Sequence, residues 1–157
     1  MTEELVRAYL TGEHTHVHPL KALEGCDWKA AGTRVDRAPH TIYKILNHTI
    51  YWQDVYLKRM NGKAVISPER PSAGWPGALA PVNERLWQDA FMAFQSGLKK
   101  ALGIAKDRDL QEKMPTFRNA TLGECLVFLA LHNSHHIGQI ITLRQALGDW
   151  PAATDQW

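Results

Sequence analysis

Residues 121–147 read TLGECLVFLALHNSHHIGQIITLRQAL, and the pattern of this stretch is typical of a helix in an all-α protein. Thr121 and Glu124 have the spacing of a capping box, in which a hydroxyl and a carboxylate satisfy the first exposed amides of a helix. After this start, one set of positions recurs at intervals of three and four residues, the spacing of a helix face that packs against other helices. These positions are Leu122, Cys125, Leu129, His132, His136, Gln139 and Leu143. The stretch therefore predicts a long core-facing helix that ends near residue 147.

Two histidines, His132 and His136, lie one turn apart on that core-facing strip. Residues four apart are neighbours on a helix surface, so both imidazoles can bind one metal ion. The alternative is a pair of core histidines that are hydrogen-bonded to other groups, although several ring nitrogens must then find partners in an apolar layer. His135 lies off the strip, beside Phe128 and Leu131, and is predicted to lie on the rim of a pocket or behind the ligands.

A third histidine, His48, lies on the apolar face of a second helix, which is predicted to run from Thr41 to Met60. Ile45, Thr49 and Trp52 share this face, and Trp52 is a candidate pocket residue. Because all three histidines lie towards the middle of their helices, the rings can meet at one level of a helical bundle. Three histidine ligands leave coordination positions open to water or substrate, which is typical of a reactive metal site.

Two motifs carry a resemblance to a known family: HNSHHIGQI at residues 132–140, followed by Leu143-Arg144, and ILNHTIYWQ at residues 45–53. Together they resemble the signature of the DinB/YfiT-like metal-binding four-helix-bundle superfamily, over nearly the whole chain. The resemblance implies that His48, His132 and His136 are the metal ligands, and it implies an up-down-down-up arrangement of four helices. One departure is Ile137, which occupies a position that is often arginine in the family.

Four helical stretches are predicted, which indicates an all-α four-helix bundle formed by a single domain over residues 1–157. The first stretch runs from about Thr2 to Glu24, and the third runs from near Pro81 to Gly103 or slightly beyond. In the first stretch the residues predicted to face inward are Leu5, Tyr9, Val17, Leu20 and Leu23. In the third stretch they are Leu86, Phe91, Phe94, Leu98 and Leu102.

The connector between the second and third helices, residues 61–80, is long for a bundle and has little periodicity. It contains Pro68, Pro71 and Pro76. About twenty residues at roughly 3.3 Å each can cross the full height of a bundle, so the two helices can run parallel. Trp75 is the candidate for an apolar contact if this connector covers the site, and a plain crossover is the alternative.

The composition is typical of a globular protein, with 45% hydrophobic and 22% charged residues in a chain of 157. A net charge of +2 gives no electrostatic signature of nucleic-acid binding. No apolar run reaches the length of a membrane span, and the polar first residues are not a signal peptide. Cys26 and Cys125 lack the spacing of a metal motif, so they are expected to be free thiols in the cytoplasm.

Other histidines on the first predicted helix offer alternative metal sites. His14 and His18 lie one turn apart, but their face is expected to be solvated, which leaves at most an adventitious metal site. Glu13 and His16 form a Glu-x-x-His pair on the more inward side and are candidate pocket residues. A di-iron bundle needs a second such pair, and the last helix has none. A zinc protease would have glutamate where Asn133 follows His132, so ordinary metalloprotease chemistry is not expected.

The function predicted from these features is a metal-dependent enzyme that acts on a small molecule, with zinc or nickel as the ion. Activation of a low-molecular-weight thiol, as in an S-transferase, is implied by the family resemblance alone. The alternatives are a hydrolase that uses bound water and a non-enzymatic, metal-stabilised stress-response protein. Gln139 and Trp75 are further candidate pocket residues. The tryptophan-containing tail from Trp150 to Trp157 is predicted to pack on the body or on a second subunit. The family resemblance implies a homodimer.

Overall fold

The computed structural model describes residues 1–66, 69–75 and 77–150, and these residues are mostly helical. Within these ranges, five helices follow one another: α1 (Glu3–Thr11), α2 (Trp28–Gly32), α3 (Ile42–Met60), α4 (Glu84–Asp107) and α5 (Leu122–Ala146). The described residues also form two short strands and two 3₁₀ turns: β1 (Lys113–Met114), β2 (Ala120–Thr121), Pro71–Gly74 and Pro115–Phe117. No helix in these ranges is long and apolar enough to cross a membrane.

Local sequence signals account for the starts of the three long helices. The hydroxyl of Thr121 accepts from the amide of Glu124, and the Glu124 carboxylate accepts from the amide of Thr121, so the predicted capping box is confirmed. The hydroxyl of Thr41 caps α3 in the same way, by accepting from the third residue of that helix. Helix α4 begins three residues later than the expected Pro81, because the side chain of Asn83 provides its N-cap.

The first helix is much shorter than predicted, and this expectation was wrong. Helix α1 ends at Thr11, because Gly12 adopts a left-handed conformation with φ of +76° that terminates the helix. Residues 12–25 then follow a series of turns before α2 begins. A helix running continuously from Thr2 to Glu24 does not form, although its expected start at Thr2 agrees with the N-cap observed there.

The faces assigned to two helices also need correction. In α1 the buried residues are Val6 and Leu10, whereas the predicted Leu5 and Tyr9 are 44% and 41% exposed. The predicted strip combined residues on both sides of the break at Gly12, so it did not describe one helical face. In α4, Leu86 is 36% exposed, although the remainder of its predicted apolar strip is buried or partly buried.

A small antiparallel hairpin precedes α5, with Lys113 opposite Thr121 and Met114 opposite Ala120. Two-residue strands carry no detectable period, which explains why the sequence did not predict them. Further hydrogen bonds extend from this hairpin into the start of α5, because the amides of Leu122 and Gly123 donate to the carbonyls of residues 112 and 110 at 2.8 and 3.0 Å. The hairpin therefore fixes where α5 begins.

Helix α3 packs against α4 and α5, and α1 packs against the same two helices. The core consists of two apolar clusters, one that includes Met60 and Leu126 and another that includes Ile42 and Ile140. Along both α3 and α5, a stretch between the two clusters contains buried polar side chains. These side chains are His48, Thr49, Gln53, Asn133 and His136. The predicted histidine site lies in this polar layer.

Arg144 ties the end of α5 to the segment that follows α1. Its guanidinium is only 2% exposed and donates to the carbonyls of Ala22 and Glu24 at 2.9 and 3.0 Å. It also donates to the side chain and the carbonyl of Asp149 at 2.9 and 2.7 Å. These hydrogen bonds compensate for the burial of the positively charged guanidinium, and they hold the end of α5 in place. Residues 151–157, the tail that was predicted to pack on the body or on a second subunit, lie outside the described residues.

Candidate metal centre

The structure brings His48, His132 and His136 together. The ring centroid of His48 lies 5.2 Å from that of His132 and 4.5 Å from that of His136, and the latter two are 4.6 Å apart. One nitrogen from each ring lies within 4.8 Å of the others. Within the described ranges, no carboxylate or cysteine joins these three imidazoles to form a larger group of possible ligands.

The orientation of His48 is set by a backbone group from the long connector. Its Nδ1 donates to the carbonyl of Gly74 at 2.5 Å, so the Nε2 lone pair remains available. Gly74 approaches α3 closely, and a Cβ at this position would lie 2.9 Å from the indole nitrogen of Trp52. Lys44 holds the same segment, since its ammonium donates to the carbonyls of Trp75 and Gly77 at 2.7 and 2.6 Å.

The orientation of His136 is set by Gln139, one turn later in α5. The Nδ1 of His136 donates to the side-chain oxygen of Gln139 at 2.8 Å, which again leaves Nε2 free. Metal-binding histidines usually donate their second ring nitrogen to such an acceptor, which orients the ring. Gln139 itself is exposed, so its expected place on the core-facing strip was wrong, but it adjoins the site as predicted.

His132 has a buried nitrogen without a partner. Its Nδ1 forms no hydrogen bond to any described group, and an unpaired buried polar atom is unfavourable. Coordination of an ion by the three rings is one way to satisfy polar nitrogens in this layer. In a tetrahedral zinc site, neighbouring nitrogens lie about 3.4 Å apart, so the rings need to move inward by only about an ångström. The donor set therefore fits a metal ion such as zinc or nickel.

Burial keeps all three imidazoles neutral. The pKa of His132 is lowered to about 4, mainly by desolvation and in addition by the neighbouring imidazoles of His136 and His48. Desolvation likewise lowers the pKa of His136 to about 4, against the opposing effect of its hydrogen bond to Gln139. The pKa of His48 is also lowered, mainly by burial. Neutral imidazole is the form that binds metals, so the site is ready for an ion at neutral pH.

Aromatic rings surround the three histidines. Trp75 stacks on His48 with ring centroids 3.7 Å apart, and His40 stacks on the same indole at 3.9 Å. Trp52 approaches His48 and His132 edge-on, with centroids 6.4 and 6.3 Å away. The predicted contact of Trp75 with the site is therefore present.

A pocket of about 440 Å³ adjoins the site. Its apolar lining comes from Ala38, Pro39, Ile45 and Leu143. Its polar lining comes from His40, His135, Gln139 and Thr142, and Gly138 completes the wall. Both His135 and Gln139, predicted from the sequence as pocket residues, are part of this lining. His135 is exposed at the rim, and its ring centroid lies 4.8 Å from that of His136.

Glu13 and His16, the remaining predicted pocket residues, lie elsewhere. The carboxylate of Glu13 pairs with Arg7 on α1. The Nε2 of His16 accepts from the hydroxyl of Ser134 at 2.9 Å, on the side of α5 that faces away from the triad. Neither residue lines the pocket beside the three histidines, because the chain breaks at Gly12 and places both in a turn. His14 is an exposed member of the same turn.

Two groups at the site could not be found from the sequence. The Gly74 carbonyl is a backbone atom in a segment without periodicity, so no residue type identifies it. His40 precedes α3 in an irregular segment, and its contact with Trp75 depends on how two distant loops meet. By contrast, the three clustered histidines were found because each lies on the apolar face of a helix.

The fold and the site together define a class: a helical protein with a buried three-histidine centre that is compatible with metal binding. The sequence model of the DinB superfamily matches residues 4–140, a range that contains all three histidines, and the chain belongs to this superfamily. Searches of curated proteins and of solved structures found no match.

Proposed function

We propose that His48, His132 and His136 bind one divalent metal ion, zinc or nickel, and that the protein is an enzyme acting on a small external thiol. The thiol sulfur would form a bond to the electrophilic carbon of a small molecule, the thiol proton would pass to water, and the leaving group would depart with the electron pair of the bond that breaks. The observation that carries this proposal is the convergence of three neutral imidazoles, with donor atoms within 4.8 Å, beside a pocket large enough for a substrate. The bound ion would supply a Lewis acid that lowers the pKa of a thiol, so that a nucleophile exists at neutral pH.

The residues of the chain would orient the ligands and limit access of water. The Gly74 carbonyl and the Gln139 side chain hold two of the imidazoles in the tautomer that leaves Nε2 free. Trp75 covers one face of His48, which keeps water from that side of the site. Rigid support of this kind reduces the reorganisation needed when a substrate binds.

The thiol in this proposal comes from outside the protein. Cys26 and Cys125 are both buried and unpaired, as predicted. Burial raises the pKa of Cys26 to about 12 and that of Cys125 to about 11, so neither provides a thiolate near neutral pH. A nucleophilic sulfur at this site must therefore be supplied by a small molecule.

The arrangement of helices that we propose is an up-down-down-up four-helix bundle formed by α1, α3, α4 and α5. Hydrogen bonds at both ends of α3 and α4 support a parallel arrangement of these two helices. At their starts, the hydroxyl of Thr41 donates to the carbonyl of Leu79, which precedes α4. At their ends, the guanidinium of Arg108, which follows α4, donates to the carbonyl of Met60. The shared apolar clusters support antiparallel α3 and α5, because the end of α3 packs with the start of α5. The long connector at residues 61–80 is the crossover that this topology requires.

The test begins with elemental analysis of protein purified without an affinity tag, since a tag would add histidines. Metal-loaded protein is then assayed with pairs of thiols and electrophiles. We expect His48→Asn to lose both stoichiometric metal and turnover, and His14→Asn, at an exposed histidine, to keep both. Failure of the wild-type protein to retain zinc or nickel after dialysis would overturn the proposal at its first step.

A non-enzymatic role is the second candidate, and burial of the site favours it. His48 and His136 are each only 6% exposed, and a bound ion would join α3 to α5 in the middle of the core. Metal binding would then add directly to the free energy of unfolding. A rise in melting temperature on metal addition, with no turnover of thiols or of hydrolysable esters, would identify this role. Ester hydrolysis without thiol transfer would instead indicate a hydrolase that uses bound water.

A further inference from the structure

The pocket beside the three histidines is connected to them through Gln139. The Gln139 side chain lines the pocket and also accepts the hydrogen bond from His136. His40 also lines the pocket and stacks on Trp75, which in turn stacks on the ring of His48. A molecule in the pocket would therefore contact residues that support two of the three imidazoles.

The chemistry of the lining is selective, because among the described residues no lysine, arginine, aspartate or glutamate takes part in it. Four apolar side chains form one part of the wall, and side chains with hydrogen-bonding groups but no carboxylate or ammonium form the other. A charged ligand would lose its hydration here without gaining an opposite charge, which is unfavourable. An uncharged molecule with an apolar body would bury apolar surface and could place one polar group near His135 or Gln139.

We propose that this pocket binds the second substrate of the reaction, and that this substrate is an uncharged, largely apolar molecule that carries the electrophilic group. This assignment rests on the proposed function, because only a transfer reaction needs a second substrate next to the metal-bound thiol. The pocket volume of about 440 Å³ is within the range of roughly 300–1,000 Å³ that is usual for small-molecule sites.

Gly138 allows the pocket to be closed without disturbing the rest of the protein. It lies in the interior of α5 and lines the pocket, and a Cβ added to it would meet no atom within 4 Å. A larger side chain at this position would therefore project into the pocket. Gly103, in the interior of α4, is also open at its Cβ and does not line the pocket, so it is a matched control.

The experiment measures binding of N-phenyl-1-naphthylamine, an uncharged apolar fluorophore, to the metal-loaded protein. Its sulfonated analogue, 8-anilino-1-naphthalenesulfonate, differs mainly by one negative charge and serves as the matched ligand. We expect saturable binding of the uncharged dye, at least about tenfold tighter than binding of the anion. Gly138→Phe should weaken binding of the uncharged dye at least about tenfold, whereas Gly103→Phe should not, and melting temperatures should show that both variants are folded.

Equal affinity for the two dyes, or equal effects of the two variants, would overturn the assignment. The assignment would also be overturned if the wild-type protein binds no dye and sediments as a dimer that Gly138→Phe disrupts. In that case this face would be a subunit interface. The outcome for the proposed function is separate. Dye binding blocked by Gly138→Phe, without thiol transfer to any electrophile, would preserve the pocket as a binding site and end the transfer reaction. Thiol transfer that is insensitive to Gly138→Phe would preserve the transfer reaction and overturn the assignment of this pocket to the second substrate.

Discussion

At the scale of single residues, the three clustered histidines differ in the hydrogen-bond partner of the Nδ1 atom. His48 uses a backbone carbonyl from a connector, His136 uses a side chain from its own helix, and the Nδ1 of His132 has no partner among the described groups. Hydrogen bonds of this kind orient a ring before an ion arrives, so they affect affinity without touching the metal.

Gln139→Leu tests this effect at the one partner that is a side chain. Loss of the acceptor leaves the Nδ1–H of His136 unpaired and its ring less restrained. We expect the affinity for zinc, measured by competition with a chelator, to fall by about 10- to 100-fold. Gln145→Leu, at an exposed position on the same helix, is the control and should leave the affinity unchanged. Equal affinities of the two variants would mean that the hydrogen bond has no role in metal binding.

At the scale of secondary-structure elements, the close contact of α3 with α4 depends on a glycine. Gln53, which is buried on α3, lies against the backbone of α4, and a Cβ on Gly97 would fall well inside contact distance of its side chain. In the amide orientation that satisfies both polar atoms, the side-chain nitrogen of Gln53 donates to the carbonyl of Phe94 at 3.2 Å, and its side-chain oxygen accepts from the amide of Leu98 at 3.0 Å. The glycine therefore makes room for an amide that bonds directly to the neighbouring helix.

We expect Gly97→Ala to reduce the free energy of unfolding by about 1–3 kcal/mol, because the added methyl group displaces a buried side chain that has little room to move. Gly103→Ala, in the same helix, should have the opposite effect and stabilise the protein by up to about 1 kcal/mol, since its methyl group meets nothing. Denaturant unfolding of the two variants at one pH measures both values. Stabilisation by both substitutions would show that Gln53 does not approach α4 this closely.

At the scale of the whole molecule, a layer of polar side chains separates two apolar clusters. The imidazoles in this layer are neutral in the folded chain, since burial lowers their pKa, whereas in the unfolded chain they titrate near 6.5. As the pH falls below about 6.5, the unfolded chain takes up protons before the folded chain does. The free energy of unfolding of the metal-free protein must therefore decrease between about pH 6.5 and pH 4.

His132→Asn should make this decrease shallower, because it removes one group whose pKa is lowered to about 4 in the folded state. Denaturant unfolding of metal-free protein at pH 7, 5.5 and 4.5 measures the slope, and His14→Asn should retain the slope of the wild type. Parallel curves for all three proteins would indicate that His132 is protonated as easily when folded as when unfolded.

Local patterns in the sequence determined the helices that carry the site. The capping box at Thr121 and the apolar periodicity of α3 and α5 predicted both helices and placed three histidines on their inward faces. These signals act over one or two turns, so they can be read without knowing the fold. The same reasoning failed for the first helix, because the predicted apolar face combined residues on both sides of the helix end at Gly12.

Only the tertiary structure decided what surrounds the three histidines. The carbonyl of Gly74, the stacking of Trp75 and the approach of residues 38–40 to α5 all join segments that are distant in the chain. Such contacts depend on where irregular loops close over the helices, and no periodic pattern encodes that path. The sequence alone therefore determined which side chains face inward, whereas chain closure in three dimensions determined their hydrogen-bond partners and the pocket beside them.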